Sequence, residues 1–198
     1  MFKIFMRFVR FVILICLNLL YKIEIEGYKN FPKKGGAIVC ANHLGNLDMF
    51  FIGYKIKRLV HWMAKEELFN NKIFAMILRK IGAFPVKRGT GDLGAIKFAI
   101  NLIKNEHILG IFPEGTRTIK KNSEEIKLKS GVALIAIKTG VPIIPVAIDR
   151  DCKIFGKVRI IFGNPINIVK DKGNTKLKSE QLAKISQDIM DSVYNLLR

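Results

Sequence analysis

Hydrophobic and polar positions divide the chain into an apolar opening and a longer stretch of short, interleaved elements. Positions 2 to 21 read FKIFMRFVRFVILICLNLLY, and polar residues return at YKIEIEGYKN. Wound as a helix, Lys3, Arg7, Arg10, Asn18 and Lys22 fall within an arc of about 120°, shared with Ile4, Phe11 and Leu14. The remaining surface is almost entirely Phe, Ile, Val, Leu and Met. The uncharged run from Phe11 to Tyr21 is shorter than the roughly 20 residues that cross a bilayer. No small-residue cleavage site separates it from Lys22, Glu24 and Glu26. The pattern predicts an amphipathic helical segment within 1–26 that lies in a membrane interface, its basic stripe near the headgroups. A helix docked on the core and a signal anchor are the alternatives.

After Gly27 short β-branched runs alternate with helical periods. Strands are predicted at Ala37–Ala41, Leu59–Ala64, Phe84–Lys87, Ile108–Phe112, Ile143–Ile148 and Val158–Phe162. Helices are predicted at Asp48–Tyr54, Glu66–Lys80, Gly91–Asn105, Gly131–Thr139 and from Ser179 towards Arg198. Leu93, Ile96, Ile100 and Ile103 form the apolar face of the third. Leu182, Ile185, Ile189, Val193 and Leu196 form that of the last. Ser130 stands where an N-cap belongs, and Gly140 with Pro142 stops the helix that follows it. Ile119 to Lys129 reads as an exposed loop. Regular alternation of strand and helix implies an α/β domain over 27–198, with a mostly parallel central sheet flanked by helices.

Composition narrows the partners. Among 198 residues, 34 Lys and Arg face 16 Asp and Glu, for a formal net charge of +18. That excess calls for an anionic partner such as acidic lipid, nucleic acid, an acidic carrier protein or a phosphorylated substrate. Cys16, Cys40 and Cys152 are odd in number and far apart, which argues against a disulfide framework or a zinc site. Cys40, inside an apolar run, reads as a small buried hydrophobe. The three histidines have no metal-ligand spacing, and no phosphate loop or dinucleotide fingerprint occurs. His61 and His107 read as ordinary core or surface side chains.

Three stretches fall where predicted strands end, the usual place for a site in an open α/β sheet. The first is Ala41-Asn42-His43-Leu44-Gly45-Asn46-Leu47-Asp48. A histidine there can take a proton near neutral pH, and a carboxylate can fix its tautomer. The five-residue separation needs a turn at 44–46, and Gly45 would permit unusual backbone angles in it. The pair is the base half of a Ser-His-Asp arrangement with no serine beside it, so the nucleophile would be a substrate hydroxyl. A capping Asp48 and a surface His43 fit the same spacing. The second stretch, Phe112-Pro113-Glu114-Gly115-Thr116-Arg117, offers a flexible glycine and a planar guanidinium suited to phosphate. The third, Gly82 to Gly89, delivers Lys87 and Arg88 to the same edge.

In combination and order these stretches resemble the glycerolipid acyltransferase family, in particular its bacterial 1-acyl-glycerol-3-phosphate acyltransferases. Asn42, His43 and Asp48 meet the family's first block, Gly82 to Arg88 its second, Phe112 to Arg117 its third and Val141 to Val146 its fourth. The resemblance runs from about Phe31 to Ile148. It implies that His43 is the general base and Asp48 its orienting carboxylate. Arg88 and Arg117, joined by Lys65, would bind the acceptor's phosphate, while Glu114, Gly115 and Thr116 shape the acceptor site. It implies lysophosphatidic acid as acceptor and an acyl-ACP or acyl-CoA thioester as donor. No cofactor, metal or nucleic acid is implied, and the setting would be the cytoplasmic face of a cell membrane. Gly45 stands where the family usually has Ser, and Asp149-Arg150 where it commonly has Gly-Thr. Another acceptor, such as glycerol 3-phosphate or another lysolipid, stays open, as do a non-catalytic membrane scaffold and a basic nucleic-acid binder.

Overall fold

The computed structural model describes residues 2–87, 91–117, 128–151, 153–168 and 178–198, with side chains described from residue 9 onward. Arg88, Cys152 and nearly all of the loop expected at 119–129 lie outside these residues. The helices are α1 (Phe2–Leu20), α2 (Asp48–Gly53), α3 (Lys72–Lys80), α4 (Leu93–Lys104), α5 (Gly131–Thr139) and α6 (Ser179–Asn195). The strands are β1 (Lys22–Glu26), β2 (Ala37–Ala41), β3 (Val60–Lys65), β4 (Phe84–Val86), β5 (Ile108–Ile111), β6 (Ile143–Arg150) and β7 (Lys157–Phe162).

A run such as AIVCA is stable as a strand only where both its faces are covered. As β2 it sits mid-sheet with all five residues buried. The seven described strands form one sheet in the order β1-β7-β6-β2-β5-β3-β4. Pairing is parallel except between β6 and β7, so the sheet is mostly parallel, as expected. Side chains alternate across it. Ile38, Cys40, Leu109 and Ile111 pack with Ala99, Val132, Ile135, Ile189 and Val193 of α4, α5 and α6. Val39, Ala41, Val60, Trp62 and Ile108 pack with Leu17 of α1 and Phe51 and Ile52 of α2.

Several expectations shift. Lys22–Glu26, expected to close the N-terminal segment, is an edge strand paired in parallel with β7. Its exposed positions Lys22, Glu24 and Glu26 alternate with half-buried Ile23 and Ile25, and Lys157 and Arg159 neutralise the two glutamates. The helix expected over Glu66–Lys80 breaks in two. A short 3-10 turn at Glu66–Phe69 precedes α3, whose start is set by Asn71, its side chain accepting from the N–H groups of Ile73 and Phe74. On α4 the buried face is Ala95, Ala99, Leu102 and Ile103, while Leu93 is exposed, because the small alanines let the helix lie close to the sheet. Asp92, its carboxylate accepting from the Ala95 N–H, caps that helix. Ser130 occupies the N-cap of α5 without a side-chain bond, and Gly140 ends it at φ 66° as expected.

Of the polar stripe of α1, Arg10 turns towards the domain, while Asn18 stays exposed. Arg10 donates to the carbonyls of Gly53 and Tyr54 at 3.2 Å each, closing the C-terminus of α2. Asn18 accepts from the Tyr54 hydroxyl at 2.8 Å. Phe11, Val12, Ile15, Leu19 and Leu20 are exposed as well. The free carbonyls at the end of the six-residue α2 take up the Arg10 guanidinium, so this one member of the stripe docks. Among the described residues, no helix is long and apolar enough to cross a membrane.

Gly110 on β5 marks the tightest point between strand and side chain. A Cβ built there would lie 2.5 Å from two carbons of the Trp62 ring. Gly110→Ala should therefore lower stability by about 1–3 kcal/mol in chemical denaturation, through overpacking at a rigid ring.

Candidate active site

Five neighbouring strands, β6, β2, β5, β3 and β4, run parallel and end at one carboxyl edge of the sheet, and the loop with His43 leaves from β2. Its last turn of ladder is made by a side chain. Asn42, 3% exposed, donates to the Ile148 carbonyl at 2.9 Å and accepts from the Ile148 N–H at 2.8 Å. This amide pins the start of the loop to β6, so His43 leaves the strand from a fixed point.

From there the chain turns back on itself. Asp48, the first residue of α2, has no solvent exposure, and its Oδ2 gathers three donors. These are the Leu44 N–H at 2.6 Å, the Gly45 N–H at 2.7 Å and His43 Nδ1 at 2.8 Å. Asp48 thus caps the loop behind it. With an ionised carboxylate on Nδ1, that nitrogen carries the proton and Nε2 keeps its lone pair. The imidazole is 15% exposed, and no described residue hydrogen-bonds Nε2. It stacks on Phe112 with centroids 4.3 Å apart, and Phe112 stacks on Trp62 at 4.7 Å. This aromatic pile fixes the ring plane from beneath while the carboxylate fixes its edge.

Gly45 plays a different part from the one its sequence context suggests. It is absent from the positive-φ positions, so the turn needs no unusual backbone there. A Cβ on Gly45 would instead lie 2.1 Å from the terminal nitrogen of Arg150. Gly115 does sit at φ 65°, where the turn at the end of β5 requires it.

Glu114 is 3% exposed and braces the site from that turn. It accepts from the His43 backbone N–H at 3.2 Å and from the Tyr194 hydroxyl of α6 at 2.8 Å. Burial, the Glu114 charge and that hydrogen bond together push the Tyr194 phenol up, keeping it a neutral donor. Burial likewise raises the Cys40 thiol, with the Glu114 charge adding to it, so Cys40 stays protonated and inert. Thr116 and Arg117 are exposed, and the Arg117 guanidinium donates to the Asn46 side chain, joining the third block to the first.

The structure therefore brings His43, Asp48, Glu114, Gly115, Thr116 and Arg117 to one place. Lys65 ends β3 at the same edge, half exposed and ion-paired with Glu67 at 3.0 Å. No described hydrogen bond or ion pair links it to His43 or Arg117. Arg88 follows β4 at that edge in sequence but lies outside the described residues. Residue-by-residue reading missed Arg150, Trp62 and Tyr194, which reach the site from other elements, and it valued Phe112 only as part of its block. The departure at Asp149-Arg150 was the one signal of Arg150. A cavity of about 560 Å³ opens beside the stack, walled by Trp62, Met49, Phe50, Ile13, Leu14 and Ile81. Arg10, Lys57, Arg58 and Lys80 also line it.

Comparison with known proteins gives the family and agrees with the fold. The sequence model of the family described as Acyltransferase matches residues 22–149. The chain is similar to the 1-acyl-sn-glycerol-3-phosphate acyltransferase of Bacillus subtilis (strain 168), 36% identical over 159 residues covering 77% of this chain and 78% of that one. It is similar to the protein of the same name from Streptococcus pneumoniae, 33% identical over 166 residues, 80% of this chain and 60% of that one. Among solved structures, the 1-acyl-sn-glycerophosphate (LPA) acyltransferase PlsC from Thermotoga maritima matches with a TM-score of 0.67 at 26% identity. That match covers 96% of this chain and 81% of the other.

Proposed function

The chain belongs to the acyltransferase family, and from that premise we propose that it acylates the sn-2 hydroxyl of 1-acyl-sn-glycerol 3-phosphate to give phosphatidic acid. The observation that carries the reading is His43 itself: Nδ1 is held by buried Asp48, Nε2 carries a free lone pair, and the ring faces the sheet edge. Such a group is built to take a proton, and with no hydroxyl of the described residues bonded to it the proton comes from the acceptor. His43 Nε2 removes the sn-2 proton as the oxygen attacks the thioester carbonyl. The tetrahedral centre collapses, the C–S bond breaks, and the departing thiolate takes the proton back from His43. An ester and a free thiol result, on acyl carrier protein or coenzyme A.

Arg117, tethered to the His43–Asp48 loop through Asn46, and Arg88, with Lys65, hold the acceptor's phosphate in this reading. Charge-assisted contacts would both bind it and set the hydroxyl against Nε2. Gly115 and Thr116 shape that pocket, and Glu114 fixes the backbone that carries His43. The apolar cavity ending at Trp62 suits an acyl chain, since only the Phe112 ring separates Trp62 from His43.

The acceptor is a lipid, and the surface fits a peripheral enzyme at the cytoplasmic face of the cell membrane. Phe11, Val12, Ile15, Leu19 and Leu20 of α1 point outward, and Phe155, whose N–H bonds the Leu20 carbonyl, continues that face with Ile154. Ile73, Phe74, Met76 and Ile77 of α3 are exposed as well. Clustered exposed apolar side chains of this kind suit an interaction site, and a net charge of +18 favours an anionic bilayer.

His43→Ala should cut turnover by about 10²–10⁴ in an assay of purified enzyme with lysophosphatidic acid and, separately, acyl-ACP and acyl-CoA. Retention of most activity with either donor would refute general-base catalysis. Arg117→Ala should raise the KM for lysophosphatidic acid by roughly tenfold or more, the cost of one charge-assisted bond, with donor KM unchanged. An unaltered acceptor KM would remove Arg117 from the phosphate site. Replacing Phe11 and Phe74 with Asp should weaken sedimentation with phosphatidylglycerol vesicles by about tenfold or more while leaving the far-ultraviolet spectrum intact. Undiminished binding would mean that these faces do not meet the bilayer.

A further inference from the structure

Two departures from the family pattern meet at one point in space. Gly45 follows β2, and Arg150 ends β6 more than a hundred residues later. Yet the Arg150 terminal nitrogen fills the place where a Cβ on Gly45 would be, 2.1 Å away. The Arg150 side chain is only 13% exposed. Its Nε lies 3.6 Å from Asp48 Oδ1, and its guanidinium stands over the Phe51 ring at 5.9 Å. Both Asp48 and Phe51 belong to α2, so Arg150 grips the short helix that presents the carboxylate.

The Asp48 contacts explain why a cation is wanted there. Oδ2 is saturated by His43 and two amides, whereas Oδ1 and Arg150 Nε are both buried without a hydrogen bond. At 3.6 Å the pair is ionic rather than hydrogen-bonded, and it is the only ion pair that the described residues offer to Oδ1. A fully buried carboxylate without a balancing charge is costly and tends to shift towards water. Such a shift would release the Nδ1 contact.

We propose that Arg150 is a positioning residue for the reaction, holding Asp48 in its catalytic place, and that Gly45 is glycine to make room for the guanidinium. A side chain at position 45 would not strain the backbone. It would expel the guanidinium, the movable partner in the clash. Gly45 and Arg150 thus form one functional unit in place of the hydroxyl-bearing residue that the family resemblance expects at 45. The inference rests on His43 and Asp48 being the proposed base and its orienting group.

The test measures kcat and KM for Gly45→Ala, Arg150→Met, their double variant and Arg150→Lys, with His43→Ala as control. Gly45→Ala and Arg150→Met should each lower kcat by about tenfold or more with acceptor KM nearly unchanged. The double variant should be no slower than the worse single one, because both remove the same contact. Arg150→Lys, which keeps the charge on a less suitable head, should remain within about threefold of the parent. Full kcat in Arg150→Met, or independent losses that multiply in the double variant, would overturn the proposal. An Arg150→Lys enzyme as slow as Arg150→Met would overturn it too, by assigning the effect to shape instead of charge. Should Arg150→Met fail to fold, Gly45→Ala deletes no group and carries the same expectation alone. An active His43→Ala would defeat the catalytic reading itself, a result distinct from any of these.

Discussion

A carboxylate with no access to water must be balanced, and the Asp48 carboxylate sets that condition for everything around it. Its Oδ2 draws in the His43 ring and the amides of Leu44 and Gly45, and its Oδ1 faces Arg150. Those groups come from the loop after β2 and from the end of β6. The two strands therefore have to be neighbours, and Asn42 enforces this by completing their ladder with its own amide. Burial of one charge thereby specifies strand adjacency, loop shape and tautomer together.

A second layer of constraint comes from the core. The Trp62–Phe112–His43 pile carries the packing of β3 and β5 up to the imidazole, and Gly110 lets Trp62 lie flat enough to take part. Glu114 then fastens the His43 backbone to Tyr194 on α6, on the opposite side of the sheet from α1 and α2. His43 is held by elements of both layers, so its position depends on the whole sandwich and not on a local turn.

Much of this was legible in the chain before any geometry. Apolar runs such as AIVCA and ILGI had to be central strands, and motif residues at their ends had to share an edge. Asn42, His43, Asp48 and the Phe112–Arg117 block were visible because they are close in sequence and chemically unusual. Arg150 was not, because its meaning lies in a contact with Gly45 across the sheet. β1 escaped because KIEIE is an edge strand whose outer positions are charged, which reads equally as the polar end of a helix. The docking of Arg10 escaped for a related reason. A helical wheel shows which residues share a face, but it cannot show that the carbonyls of Gly53 and Tyr54 compete for Arg10.

That last contact has a thermodynamic consequence. Helix α2 is six residues long, too short to hold itself together. At its first residue it carries Asp48, and at its far end it relies on the Arg10 guanidinium reaching across from α1. Whatever orders α1 therefore also orders the helix that bears the Asp48 carboxylate. The two are linked equilibria, joined through a single turn and a half of backbone.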